Sequence, residues 1–338
     1  MTGFQQHKAV VRAFHAELSA ANPEAVADVL ARHVTPDWHW RGVHPFNEQR
    51  GPEAVAKTLW APLMTSFTRL QRRPDIFLAG LNEADGFQSV WVLSMGHLMG
   101  LFEQPWLGIR PTGRIAMLRY AEFNRVEDGR IAETAMFCDI PGLMVQAGQN
   151  PFPPQTGAHL VYPGPATHDG LMWERQDPEL AQATLGAIER MLASPGRQYH
   201  NPDEARLLAE VWHDDMVWWG PTGIGASYTI PGFMRQHTRP FDDAFSKGGD
   251  SVRPDLCRVA EGRYGGLFGY ANMTVRNAGG FLGMTAGPGS ADMRVVDIYR
   301  EEGGKLAENW VFIDLLHYLN VQGLDVLARM ESLQPVLR

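Results

Sequence analysis

EDGRIAETAMFCDI (Glu127–Ile140) and EGGKLAENWVFIDL (Glu302–Leu315) are one strand written twice. Each runs from an acid through a glycine turn, a basic residue and an aliphatic residue to Ala-Glu, an apolar stretch and a closing aspartate. The two aspartates, Asp139 and Asp314, stand 175 positions apart. The correspondence continues outward. PWLGIRPTG from Pro105 faces GFLGMTAGP from Gly280 at the same offset, and RPDIFLAG from Arg73 faces RPDLCRVAEG from Arg253 at 180. WHWRG matches MVWWG, and GPEAVAKTLWAPLMTSF, ending at Phe67, matches TIPGFMRQHTRPFDDAF, ending at Phe245, at 178. An offset this long means tandem copies of a whole domain, not a solenoid unit.

Between the copies, residues 150–170 hold eight Pro or Gly and read as an extended linker. The expected organisation is domain one at 1–149, linker at 150–170 and domain two at 171–338. Each copy reads as two helices (about 5–20 and 23–33; about 176–193 and 202–212), a short aromatic strand, a third helix, four strands and a closing helix. The EDG and EGG turns have hairpin character, so the sheets should be largely antiparallel and the class α+β. The third helix carries Val55, Leu59, Leu63 and Phe67 in copy one and Phe233, His237, Phe241 and Phe245 in copy two, one face in each case.

With 338 residues, 44% hydrophobic and 20% charged, the chain can bury two sizeable cores. Its net charge of −8 and the lack of any basic stripe argue against nucleic acid as partner. No run has the length of a membrane span and the N-terminus lacks a signal-type apolar core, so the expected location is cytoplasmic. Two cysteines, Cys138 and Cys257, form no framework. Metal-ligand spacings and nucleotide-binding glycine loops are missing, so no metal and no cofactor are expected.

WLGIRPTG, FNRVEDGRIAE, IYREEGGKLAENWVFIDLL and WWGPTGIGASYTIPGFMRQHTRPF together resemble the SnoaL-like polyketide cyclases of the nuclear-transport-factor-two-like superfamily. The resemblance implies two tandem cone-shaped α+β barrels, each a curved, mostly antiparallel sheet around about three helices with a hydrophobic pocket. It also implies that an aspartate after the E-x-W strand serves as acid and base without a cofactor. Carried over by position, that residue is Asp314, and in copy one Asp139. Copy one departs where Trp310 is matched by Ala135, and copy two where RPTG becomes TAGP.

Alternation predicts Asp314 on one face with Phe312 and Trp310, and Asp139 with Phe137 and Ala135. Both carboxylates then point into apolar space, where desolvation raises a carboxyl toward the range useful for enolisation. The competing reading is that each caps the helix that follows. His237 sits on the apolar stripe where copy one has Leu59. It is read either as a proton-transfer partner of Asp314 or as a core histidine bonded to a carbonyl. Trp218, Trp219, Tyr228, Phe233, Phe241, Trp310 and Phe312 are candidates to line a pocket in copy two, and Trp40, His44, Trp60 and His97 a second pocket in copy one; ordinary core is the alternative for all.

The functional expectation is a cofactor-independent cyclase, isomerase or dehydratase acting on a small hydrophobic carbonyl compound. The alternatives are a small-ligand-binding or docking protein, and then an epoxide-hydrolase-like enzyme. Val311 and Ile313, with Met136 and Cys138, are expected on the sheet faces away from the helices. There they would pack the copies into an intramolecular pseudo-dimer, with further oligomerisation open.

Overall fold

The turn in each decisive stretch is a tight hairpin. Asp128 (φ 48°) and Gly129 (φ 76°) form the first, and Gly303 (φ 56°) and Gly304 (φ 88°) the second. Two consecutive positive φ values match the right-handed twist of paired strands, which is why these positions carry Asp and Gly. The computed structural model describes residues 3–197, 201–245, 251–252, 254–287 and 289–332. Arg253 and Pro288, each part of a repeated fragment, lie outside the described residues.

In chain order the first copy contains α1 (Gln5–Ala20), α2 (Val26–His33), β1 (Val34–Gly42), β2 (Glu48–Arg50) and a third helix. That helix comprises α3 (Pro52–Val55), a π segment (Ala56–Trp60) and α4 (Ala61–Ser66). β3 (Phe67–Leu81), β4 (Val90–Phe102), β5 (Ile115–Glu127), β6 (Arg130–Cys138) and α5 (Ile140–Gln146) follow. The second copy repeats the plan with α6 (Pro178–Leu192), α7 (Glu204–Val211), β7 (Trp212–Trp219) and β8 (Ala226–Tyr228). Its third helix is α8 (Ile230–Phe233), a π segment (Met234–Thr238) and α9 (Arg239–Ala244). β9 (Ser251–Val252), β10 (Cys257–Glu261), β11 (Tyr264–Arg276), β12 (Ser290–Glu302), β13 (Lys305–Ile313), α10 (Leu315–Val321) and α11 (Val326–Ser332) complete it. The π segments recur at the same offset of 178, so even this irregularity of the third helix is repeated.

The strand orders are β2-β1-β6-β5-β4-β3 and β10-β11-β12-β13-β7-β8, with β9 also on β11. β1 meets β6 and β7 meets β13 in parallel, while β1–β2, β4–β5, β5–β6, β7–β8, β9–β11, β10–β11, β11–β12 and β12–β13 pair antiparallel. Both sheets are open, so the expected barrels are unclosed α+β sheets. The chain divides into two compact units. Unit 1 is Met1–Phe77, Ser89–Pro151 and Asp314–Arg338; unit 2 is Leu78–Gln88 and Phe152–Ile313.

In unit 1, α1 buries Lys8, Val11, Phe14 and Leu18, a spacing of three and four that keeps them on one face. In unit 2, α6 begins with Pro178 behind the Asp177 cap and buries Thr184, Ala187, Ile188 and Met191. Gly265 of β11 lies so close to Ile188 that a Cβ there would come within 2.8 Å of its side chain.

The linker is not free chain. Gly157 N–H donates to Ile224 O, Ala158 bridges Ala226, Tyr162 packs on Trp219 at 5.4 Å, and Trp310 Nε1 donates to Pro163 O at 3.1 Å. Tyr264 bonds to Thr167 and Asp169. The segment is thus laid across one face of unit 2's own sheet.

Candidate functional site

Strand register decides which residues of unit 1 meet the helices. Tyr120 pairs with Cys138, Glu122 with Met136 and Asn124 with Thr134, so all six share one face. α1 places His15 against Glu122, which marks that face as the helix side.

A polar chain runs through it. Glu122 Oε1 lies 2.8 Å from His15 Nε2 and accepts from Asn124 Nδ2 at 2.7 Å, and Oε2 accepts from Arg72 Nη1 at 2.9 Å. Thr134 Oγ1 donates to Asn124 Oδ1 at 2.7 Å and accepts from Trp38 Nε1 at 3.0 Å. Tyr120 pairs with Ser94 at 2.8 Å and lies beneath the Arg72 guanidinium, 4.6 Å from ring centre to Cζ; Trp60 lies 5.7 Å away. The side chains of Glu122, Arg72 and His15 are 1%, 6% and 11% exposed, so this network works in a low-dielectric interior.

Burial disfavours the charged form of Glu122, but Arg72, His15 and the Asn124 hydrogen bond outweigh it and hold the carboxyl well below the usual range. Burial, aided by Arg72, lowers His15 more than Glu122 raises it, so its imidazole is neutral at pH 7. An ionised carboxylate only accepts, so the His15 proton sits on Nε2 and Nδ1 is the basic nitrogen. Burial pushes the Cys138 thiol up to about 12. A cavity of 260 Å³ adjoins the network, lined by Leu18 and Ser19 of α1, Trp60, Met64, Phe67, Arg72 and Leu98 among others. His15 shares a helix face with Leu18 and Ser19.

The residues expected at a site are distributed as follows. In unit 1, Trp60 lines the cavity, and Trp40 is buried on the helix side against Phe46. His97 pairs with Arg119 on the opposite sheet face, 3.5 Å from Asp75. Asp139 accepts from Gly142 N at 3.1 Å as the cap of α5. Asp314, 2% exposed, accepts from His317 N at 3.1 Å and from His44 N at 2.9 Å, so each carboxylate oxygen holds a backbone donor. That is the capping geometry.

In unit 2, Trp218 pairs with Asn309 on the helix side. His237 stacks on Trp218 at 4.0 Å and 17°, flanked by Phe233 at 5.2 Å and Phe241 at 5.5 Å. Asn309 Nδ2 donates to Asp297 Oδ1 at 3.2 Å. Trp219, Trp310 and Phe312 occupy the other face, where the linker covers the two tryptophans, and Tyr228 is 60% exposed. The faces expected from alternation are therefore reversed. Met136, Cys138, Val311 and Ile313 lie on the helix side, and Trp310 and Phe312 opposite. These strands are apolar on both alternations, so hydrophobicity alone did not set their parity.

His15, Arg72, Tyr120 and Glu122 were not singled out from the sequence. Their signal is faint: in RYAEFNRV, Tyr120, Glu122 and Asn124 alternate with Ala121 and Phe123, which reads as a solvated strand face. At the matching positions of copy two stand Ile188, Val252, Val295 and Asp297.

An open, largely antiparallel sheet with helices against one face is the build of a nuclear-transport-factor-two-like α+β domain. Residues 11–134, within the first copy, match the model of the SnoaL-like domain. No curated protein matches the chain. Similar solved structures include a candidate SnoaL-like polyketide cyclase from Jannaschia sp. CCS1, at 23% identity and TM-score 0.34, covering 45% of this chain and 95% of that one. TsrD from Streptomyces laurentii (23%, TM-score 0.32) covers 42% and 96%. An NTF2-like protein from Burkholderia thailandensis E264 (20%, TM-score 0.32) covers 44% and 99%. Among the described residues, no cluster of three or more His, Cys, Asp or Glu is arranged to hold a metal, and no helix is long and apolar enough to cross a membrane.

Proposed function

We propose that the chain is a cofactor-independent acid/base enzyme of the cyclase or isomerase type, acting on a small hydrophobic carbonyl compound, with unit 1 as its working half. The observation that carries this reading is the buried pair of an ionised Glu122 and a neutral His15 beside the cavity. In this mechanism His15 Nδ1 takes the proton from the carbon next to the substrate carbonyl, leaving an enolate and an imidazolium that Glu122 stabilises. The same nitrogen returns the proton at another position, or after ring closure. Arg72 places a fixed positive charge near the developing enolate. Asp139 and Asp314 hold the helices α5 and α10 in this reading and do not exchange protons with substrate.

The test is proton exchange. A panel of β-keto esters and aryl ketones is incubated with the protein in D₂O, and loss of the α-proton is followed by NMR across pH 5 to 9. Exchange that falls as His15 becomes protonated supports the reading. Ligands that bind without exchange would leave the chain a binding protein, a role for which the Trp218–His237 stack of unit 2 also offers a flat aromatic surface.

A further inference from the structure

Glu122 Oε1 is a shared acceptor. It faces His15 Nε2 of α1 and also accepts from Asn124 Nδ2 of its own strand. Behind Asn124 stands a buried row that crosses from β5 through Thr134 of β6 to Trp38 of β1. The ends give this row a single direction. An indole N–H only donates and an ionised carboxylate only accepts, so the Thr134 hydroxyl receives from Trp38 and gives its one proton to Asn124 Oδ1. That turns the amide N–H toward Glu122.

Every proton in the row points at the carboxylate, and aligned bonds polarise one another in a low-dielectric interior. Such a row favours negative charge on Glu122 and opposes positive charge on His15. The fold does not require it. Unit 2 pairs the matching strands with Met216, Asn309 and Tyr299 in place of Trp38, Thr134 and Asn124, and it carries Ile188 in place of His15.

We propose that Trp38, Thr134 and Asn124 are positioning residues of the unit 1 site: they occupy one flank of Glu122 Oε1, limit its hydrogen bond to His15, and so keep that imidazole a neutral base. The inference rests on the reading of His15 and Glu122 as the acid/base pair and adds how its basicity is set. The other titratable or charged groups facing the pair are Arg72 of β3, Tyr120 of β5 and Cys138 of β6. Lys8 lies two turns back on the buried face of α1, and His33 of α2 packs on Phe14 beside His15.

The experiment reads His15 by NMR on the full, isotope-labelled chain at pH 8, its Nε2–H resonance assigned by loss in His15→Gln. Thr134→Val keeps the side-chain shape and breaks the row; Thr134→Ser keeps the hydroxyl and removes a methyl. In Thr134→Val the Nε2 proton should move downfield, because Glu122 then turns more of its charge to His15. The titration midpoint of His15 should rise by about half a pH unit, roughly a threefold gain in the ratio of protonated to neutral imidazole. Thr134→Ser should match the parent in both. Were the row mere packing, the Ser variant would be the more disturbed, and the Nε2 proton would move upfield as its bond lengthened. Trp38→Phe, which removes the first donor, should shift the proton downfield too and serves if Thr134→Val does not fold. An Nε2 proton unmoved or moved upfield in the folded variant, a Ser shift as large as the Val shift, or a parent whose Nε2 carries no proton would overturn the inference. None of these readings needs substrate. A parent that never exchanges α-protons but shows the downfield shift keeps the row and removes the enzyme, and exchange in the parent with no shift in Thr134→Val does the reverse.

Discussion

His15 Nε2 and Glu122 Oε1 lie 2.8 Å apart across 107 residues of chain, the second carboxylate oxygen held by Arg72. Glu122→Gln should therefore destabilise unit 1 by about 3–5 kcal/mol, because it leaves Arg72 as a buried charge without its counter-ion. Urea unfolding followed by tryptophan fluorescence checks this. A loss below about 1 kcal/mol would mean that water reaches the pair freely.

His15→Gln keeps a donor toward Glu122 and should fold. If His15 moves the proton, α-proton exchange should fall about a hundredfold while ligand affinity changes little. An exchange rate equal to that of the parent would remove His15 from the mechanism.

Acid should destabilise the protein in two stages. The folded pKa of His15 lies below its free value of 6.5, so as pH falls through 6.5 the unfolded chain takes up the proton first and stability declines. Glu122 is depressed as well, so its contribution is fully present above 4.5 and is lost at lower pH. Thermal unfolding between pH 8 and pH 3 should show both stages. The first should shrink in His15→Gln, and what remains belongs to His7 and His39, whose pKa values burial also lowers.

Asp314→Ala removes the cap of α10 and strands the His44 N–H, which should cost about 1–3 kcal/mol with exchange kinetics unchanged. Turnover abolished at unchanged stability would instead make Asp314 an acid or base.

The linker should behave as part of unit 2. Tyr162→Ala opens space beside Trp219 and should cost about 3 kcal/mol, the range for truncating a buried aromatic. A red shift of tryptophan emission at low urea would accompany it. No change in stability or emission would show that the strap is dispensable.

The sequence by itself determined the parts of this protein that depend on neighbours in the chain. The duplicated strands, their positive-φ hairpin turns, the α+β order of elements and the apolar stripe of the third helix are all local. So is the ambiguity of Asp139 and Asp314, which a strand-to-helix junction allows to be either cap or catalyst. Tertiary structure alone decided the parity of β6 and β13. With apolar residues on both alternations, only pairing partners fix which face meets the helices, and that put Trp310 under the linker and Met136 inside. It also assembled the site. His15, Arg72 and Glu122 come from a helix and two separate strands, and each looks locally like a solvated polar residue. Their desolvation, and hence their chemistry, exists only once α1, β3 and β5 enclose them.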